Sequence, residues 1–259
     1  MLGHVLIVND EPQLTIGYSV LAERLKNLIY PSLTIPHKVL VSVQNPTHTH
    51  FVKNSQVKYL ESNDVGVTKS RNLVLSNCDS EILVFGDDDA VFLEDGINQC
   101  LDYLTSNPNV DLILAQSIDA NGILRKKYKN KIYKLNKFNC AKAGTIEIMV
   151  RARSAKIMRI KFDEEFGAGS KKFLGDEYIF ITDLLKIGGK AVFLPITIAT
   201  HPSQSSGVTS YDQATMQARA KVFNRVFGFW APLVRALFFI KNFRKTGNLL
   251  DFLKFIVGK

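Results

Sequence analysis

Residues 81–90 read Glu81-Ile-Leu-Val-Phe-Gly-Asp87-Asp88-Asp89-Ala90. A short apolar run rich in β-formers and closed by glycine reads as a buried strand. It runs straight into three adjacent carboxylates. In open α/β sheets, ligands bind beyond the carboxyl ends of the strands, so this is where a site is expected. Neighbouring carboxylates repel one another by about 1–3 kcal/mol per pair at roughly 6 Å and an effective dielectric of roughly 20–40. A hard divalent cation relieves that repulsion, and Mg²⁺ or Mn²⁺ prefers carboxylate and phosphate oxygens. If the extended form persists, alternation puts Asp87 and Asp89 on one side. The plainer alternative is a solvated acidic turn.

Outward from this run, apolar stretches alternate with helical patterns. Strands are expected at 4–8, 38–43, 57–60 and 81–85. Helices are expected at 16–29, where Val20, Leu21, Leu25 and Leu28 recur at helical spacing, and at 67–76. A helix at about 96–105 and strands at 111–115 and 145–150 follow. A helix at 176–187 is closed by Gly188-Gly189, and residues 190–200 are extended with Pro195 inside. Continuous apolar strands in this rhythm predict an α/β fold with a mostly parallel central sheet flanked by helices. Residues 122–142, dense in lysine, read as an exposed hairpin or flexible loop. The expected division is one domain over 1–207 and a C-terminal helical segment over 208–259.

The chain has 259 residues, 46% of them hydrophobic and 22% charged, which suits a globular protein with a sizeable core. Its formal net charge of +9 suits an anionic partner. Three widely spaced cysteines, Cys78, Cys100 and Cys140, form neither a disulfide framework nor a zinc pair, and point to a reducing compartment. The start of the chain carries no basic segment ahead of an apolar run, so no signal peptide is expected. The nearest approach to a membrane span, 226–240, is short and contains Pro232 and Arg235.

The last forty or so residues differ from the rest. Arg219, Lys221, Arg225, Arg235, Lys241, Arg244, Lys245, Lys254 and Lys259 face a single acid, Asp251, and are interleaved with Phe223, Phe227, Phe229, Trp230, Leu233 and Leu237. Basic amphipathic helices of this kind suit an anionic bilayer surface. A helical pair packed on the core is the alternative. The aromatic residues lie on apolar helices rather than on a stacking platform, so nucleic acid is not the expected partner.

Upstream of the acidic run lies Gly66-Val-Thr-Lys-Ser-Arg71-Asn72. Downstream come Phe162-Asp-Glu-Glu-Phe-Gly-Ala-Gly, then Gly175-Asp176-Glu177, then His201-Pro-Ser-Gln-Ser-Ser-Gly. In this order, over roughly residues 4–207, the set resembles the family 2 glycosyltransferases with the GT-A (Rossmann-like) fold, of the bacterial surface-polysaccharide type. The resemblance implies an inverting, metal-dependent transferase that uses a nucleotide-sugar donor and Mn²⁺ or Mg²⁺. The acceptor would be a saccharide or lipid-linked saccharide of a capsule, O-antigen or exopolysaccharide. The protein would work in the cytoplasm, peripherally at the inner face of the membrane. By the same resemblance, Asp87 would touch the nucleotide ribose. Asp89 and His201 would hold the metal, Arg71 would lie near the nucleotide or its phosphates, and Glu177 or Asp176 would be the general base. Asp88 and Asn9 complete the expected nucleotide-binding set. The family often has an acid at the end of the second strand, where this chain has Gln44-Asn45-Pro46, so the base of the nucleotide is left open.

The chemistry asks for these residue types. Negative charge grows on the departing diphosphate, and a cation neutralises it. The attacking hydroxyl needs a carboxylate to take its proton. At helical spacing Glu177 aligns with Ile181 and Leu184 on the inward stripe, and Asp176 with Phe180 and Asp183 nearer the edge, which favours Glu177. Either acid could instead serve only the helix dipole. His48 and His50 read as surface-loop residues. The glycine-rich segment from Phe166 reads as a mobile loop near the acceptor. Val5-Leu-Ile-Val-Asn9-Asp10-Glu11-Pro12 resembles the opening of a receiver domain, but Asn9 stands where an acid is needed. A nucleotidyltransferase would need a glycine-rich basic loop there, and a catalytically silent sugar- or membrane-binding module would not need the full acid and histidine set.

Overall fold

The computed structural model describes residues 13–46, 53–202, 211–243 and 255–256. The chain begins with strand β1 (Leu14–Leu21), a 3-10 turn (Ala22–Asn27), β2 (His37–Gln44) and β3 (Val57–Ser62). Helix α1 (Val67–Asn77) leads to β4 (Ile82–Gly86) and the short β5 (Val91–Phe92). Next come α2 (Glu94–Ser106), β6 (Leu112–Ile118), β7 (Tyr133–Lys134), a 3-10 turn (Thr145–Glu147), β8 (Ile148–Arg151) and α3 (Ala152–Ile157). The chain continues through α4 (Asp176–Lys186), β9 (Ala191–Thr200), α5 (Gln213–Phe227) and α6 (Ala231–Lys241).

One sheet runs in the order β3-β2-β1-β4-β8-β6-β9-β5, with β7 alongside β9. The strands β3, β2, β1 and β4 are mutually parallel, as are β6 and β9. Strand β8 is wedged antiparallel between β4 and β6. All five residues of β4 are buried, which is why its sequence is continuously apolar. Its side chains alternate between two cores. Leu83 and Phe85 join one with Phe162 and Phe180, and Ile82 and Val84 join the other with Tyr18 and Ile97.

The expected helix over 16–29 is corrected. Residues 14–21 form β1, paired in register with β2 from Leu14–His37 to Leu21–Gln44. Thr15, Ile16, Tyr18 and Val20 are β-branched or aromatic, and sheet pairing outweighs the helical spacing. Val20, Leu25 and Leu28 do reach the core, but from a strand, a turn and a loop. The strand expected at 4–8, with Asn9 at its end, lies outside the described residues, as do His48 and His50. The lysine-rich stretch is largely exposed, as expected: its start folds back antiparallel on the end of β6, where Ile118 bridges Leu124, and the rest is a loop anchored at a few points. Tyr133 stacks on Phe193 with centroids 4.8 Å apart, and Lys126 is tied to the buried Glu147.

The C-terminal helices pack on this frame. Val222, Phe227 and Ala231 belong to the same core as Phe162 and Phe180. The run Gln213–Lys241 contains an 18-residue window of mean hydropathy 1.3, long and apolar enough to cross a membrane by length and composition. It is broken, however, by a 3-10 turn (Gly228–Trp230), where Gly228 has φ +53°.

Helix α2 meets the sheet without a side chain to spare. A Cβ on Gly96 would fall 1.9 Å from the carbonyl oxygen of Thr197 in β9, a backbone atom that cannot step aside. Gly96→Ala is therefore expected to lower stability by about 1–3 kcal/mol, despite alanine's better helix propensity. The midpoint of urea unfolding reads this directly.

Candidate active site

Strand β4 delivers Asp87, Asp88 and Asp89 to its carboxyl end, where the chain turns rather than staying extended, with Ala90 N–H donating to the Asp87 carbonyl at 3.1 Å. The side chains still separate as alternation suggested. Asp89 Oδ1 lies 3.0 Å and Asp87 Oδ2 3.9 Å from His201 Nε2. Asp88 turns away and accepts from Arg24 Nε and Nη2, at 2.7 and 2.8 Å. Asp88, expected in the nucleotide set, is thus engaged by a residue that sequence reasoning missed. Arg24 sits 64 positions away, in a 3-10 turn where the apolar spacing predicts helix.

His201 follows β9, and its N–H donates to the Ile118 carbonyl at the end of β6, 3.0 Å away. Its ring Nδ1 lies 2.9 Å from the Pro202 carbonyl. A carbonyl can only accept, so Nδ1 carries the proton and Nε2 is the nitrogen aimed at the two aspartates. A backbone carbonyl behind the imidazole is the usual support of a metal-binding histidine. Among the described residues no three histidine, cysteine or acidic groups form a closed metal cage. Asp89 and His201, with Asp87 close by, nevertheless fit a hard divalent cation that completes its shell with phosphate oxygens and water.

Across the same end of the sheet, Arg71 on α1 is buried beneath three acids. It is ion-paired with Asp176, 3.6 Å from Glu177 Oε1 and 3.7 Å from Asp87 Oδ1. Its guanidinium lies 5.5 Å from the centre of the Phe162 ring. Helix α4 begins at Asp176 because Gly175 takes the left-handed conformation, φ +83°, and a Cβ there would meet Val222 of α5 at 2.7 Å. Asp176 and Glu177 therefore occupy the first turn, at the positive end of the helix dipole.

The two acids separate in a way the helical stripe did not foretell. Asp176, placed nearer the edge by spacing, is the more buried, its side chain 7% exposed against 19% for Glu177. The core wraps this helix closely, with Tyr178, Ile179, Phe180 and Ile181 all buried, so no inward stripe distinguishes the two positions. Burial, together with the charge of Glu177, pushes the Asp176 carboxyl up to about 7. Burial also works against ionised Glu177, but Arg71 and the Thr145 hydroxyl, 2.5 Å away, prevail and hold it below the ordinary range. Burial raises Asp87 too, against the opposing pull of Arg71 and His201. Thr145 went unnoticed in the sequence, where a lone threonine after glycine carries no signal.

The glycine-rich segment before α4 is an irregular loop, as expected, and it is tied to α1. The Thr68 hydroxyl donates to the Phe166 carbonyl at 3.1 Å, and Val67 N–H to that of Ala168 at 3.2 Å.

A Rossmann-like sheet with carboxylates and a histidine meeting beyond its strand ends is the arrangement of a GT-A-type fold. Residues 43–167, just under half of the chain, match the model of glycosyl transferase family 2. Among solved structures, that of S. aureus TarS 1-349 is similar in fold, with a TM-score of 0.62 at 11% identity, covering 94% of this chain and 81% of that one. S. aureus TarS 1-349 in complex with UDP-GlcNAc gives 0.58 at 14% identity, with coverage of 94% and 81%. A longer S. aureus TarS structure gives 0.59 at 12%, covering 89% of this chain and 43% of that one. No curated protein matches the chain.

Proposed function

We propose that this protein transfers a sugar, with inversion, from a nucleotide-diphosphate donor to an acceptor hydroxyl in surface-polysaccharide synthesis, in capsule, O-antigen or exopolysaccharide. The observation that carries this reading is the contact of His201 Nε2 with Asp89 at 3.0 Å, beside Asp87 and the acids at the head of α4. We place the catalytic fold in residues 1–207 and a helical segment that supports it in 208–259.

Asp89 and His201 would hold Mn²⁺ or Mg²⁺, which when bound supplies Lewis-acid neutralisation of charge on the leaving diphosphate. Asp87 faces the same space and is free to accept a hydrogen bond from a ribose hydroxyl. Arg71 stays beneath the acids and fixes their positions rather than reaching the phosphates itself. Glu177, ionised and the more open of the pair, accepts the proton of the attacking hydroxyl. Transfer by this single base, with no covalent intermediate, would invert the sugar. Binding of UDP-GlcNAc and of UDP by the similar TarS structures makes uridine diphosphates the first donors to try. The acceptor is a saccharide, free or lipid-linked, presented at the cytoplasmic face of the membrane.

Nucleoside diphosphates and Mn²⁺ together are expected to stabilise the protein. At a hundred times the dissociation constant, stabilisation is about 2.7 kcal/mol, or roughly 5–10 °C in melting temperature. Asp89→Ala should erase the metal-dependent part. Thermal shift across a nucleotide panel, with and without metal, tests this. Stabilisation that ignores both metal and Asp89 would remove the reading. Stabilisation without donor turnover on any nucleotide sugar would favour a silent binding module.

A further inference from the structure

Two separate parts of the chain bring bare aromatic rings and lysines to one edge. Phe138, in the lysine-rich stretch, is 71% exposed, and its ring centre lies 5.5 Å from that of buried Phe227 at the end of α5. The Lys137 ammonium sits 5.3 Å from the centres of both rings. Directly after Phe227, Phe229 and Trp230 are 89% and 60% exposed. Helix α6 then divides its faces. Ala231, Arg235 and Phe239 are buried against the protein, whereas Leu233, Leu237 and Ile240, at spacings of four and three, point outward. Lys241 closes that stripe. The edge adjoins the catalytic helix, because Tyr178, next to Glu177, donates its hydroxyl to the Lys137 carbonyl at 2.5 Å.

A soluble surface rarely leaves so continuous an apolar edge uncovered. Charge decides among the possible covers. The edge is rimmed by lysine on a chain of net charge +9. A second copy would set lysine against lysine, whereas an anionic surface is attracted. Tryptophan and phenylalanine mixed with lysine also match the headgroup layer, which takes an apolar ring on one side and a cation on the other. We propose that Phe138, Phe229, Trp230 and the outer stripe of α6 seat the protein on an anionic lipid bilayer. This deepens the membrane-face placement given above and names the surface that makes it.

Trp230 is the only tryptophan in the chain, so its emission reports on this edge alone. The experiment uses the full chain with vesicles of phosphatidylcholine, with or without roughly one third phosphatidylglycerol. The expected result is a blue shift, and quenching by brominated acyl chains, with the anionic vesicles only, reversed by raised salt. Leu233→Ser with Leu237→Ser should weaken partitioning at least tenfold in a flotation assay while leaving the melting temperature in place. Lys137→Glu should weaken it roughly thirtyfold, since each unit of charge near such a surface contributes about fivefold and the substitution changes two. Emission unmoved by anionic vesicles would overturn the proposal. So would emission already blue and shielded from acrylamide without lipid, which means the chain covers its own edge, or a shift that tracks dimer formation in light scattering. Nucleotide stabilisation is measured without lipid, so each idea can fail alone. Vesicle binding without nucleotide stabilisation removes the transferase reading and keeps the bilayer seat, and the reverse removes only the seat.

Discussion

Glu177→Gln is expected to lower the turnover of sugar transfer by roughly 10²–10⁴-fold while leaving donor binding within a factor of about two, the range that loss of a general base produces. The substitution keeps the shape of the side chain and an oxygen to accept from Thr145, so the fold and the head of α4 should be undisturbed. What disappears is a carboxylate able to take a proton. The pH profile separates Glu177 from its neighbour. Arg71 and the Thr145 hydroxyl hold Glu177 low in spite of its burial, whereas burial and the adjacent charge raise Asp176 to about 7. If Glu177 is the base, the acidic limb of kcat/KM falls within or below the ordinary carboxylate range, and Thr145→Val moves it upward by removing a bond to the ionised form. An acidic limb near 7, with Glu177→Gln still active and Asp176→Asn inactive, would transfer the role to Asp176. Release of nucleoside diphosphate from the donor found in the thermal-shift panel supplies the rate.

The sequence made the centre of this fold legible because the physics there is local. Residues 82–86 are buried on both faces, and such a strand must be apolar throughout, so its end could be located and Asp87 to Asp89 with it. The helix of Asp176 was equally plain, started by a left-handed glycine and ended by another. His201 was found through the order of motifs, and it lies beside Asp89 although the two are 112 positions apart. What could not be read was decided by tertiary contact. Leu14–Leu21 shows apolar spacing that either a helix or a strand would accept, and pairing with β2 on one side and β4 on the other settles it. The capture of Asp88 by Arg24, of Glu177 by Thr145 and of Asp176 by Arg71 depends on which loops face one another. No spacing along the chain encodes that. The order of burial within the acid pair was missed for the same reason, since a helix enclosed on nearly every side has no single inner face.

Arg71→Met should be the most destabilising single change at the site, costing about 3–5 kcal/mol at neutral pH. The guanidinium is one cation serving three carboxylates, and its own side chain is only 6% exposed. Methionine fills much of the volume and keeps contact with Phe162, so the loss is electrostatic: buried anions are left beside one another without a counter-charge. Against a typical total of 5–15 kcal/mol, the variant would be marginal at pH 8. The deficit should shrink as the pH falls. Arg71 lowers the proton affinity of Asp176, Glu177 and Asp87, so removing it raises all three in the folded state above their unfolded values. The folded variant then binds more protons than the unfolded chain between about pH 4 and 8, and stability must rise as pH drops through that window. The wild type carries a weaker form of this slope through Asp176, raised to about 7, and through Asp87 and Asp88, which burial also raises, against the opposite contribution of Glu177. Urea unfolding at pH 5.5 and pH 8 measures both. Arg71→Lys restores a charge without the planar fork and should recover part of the loss. A deficit equal at the two pH values, or below about 1 kcal/mol, would mean that Arg71 does not hold the three acids together.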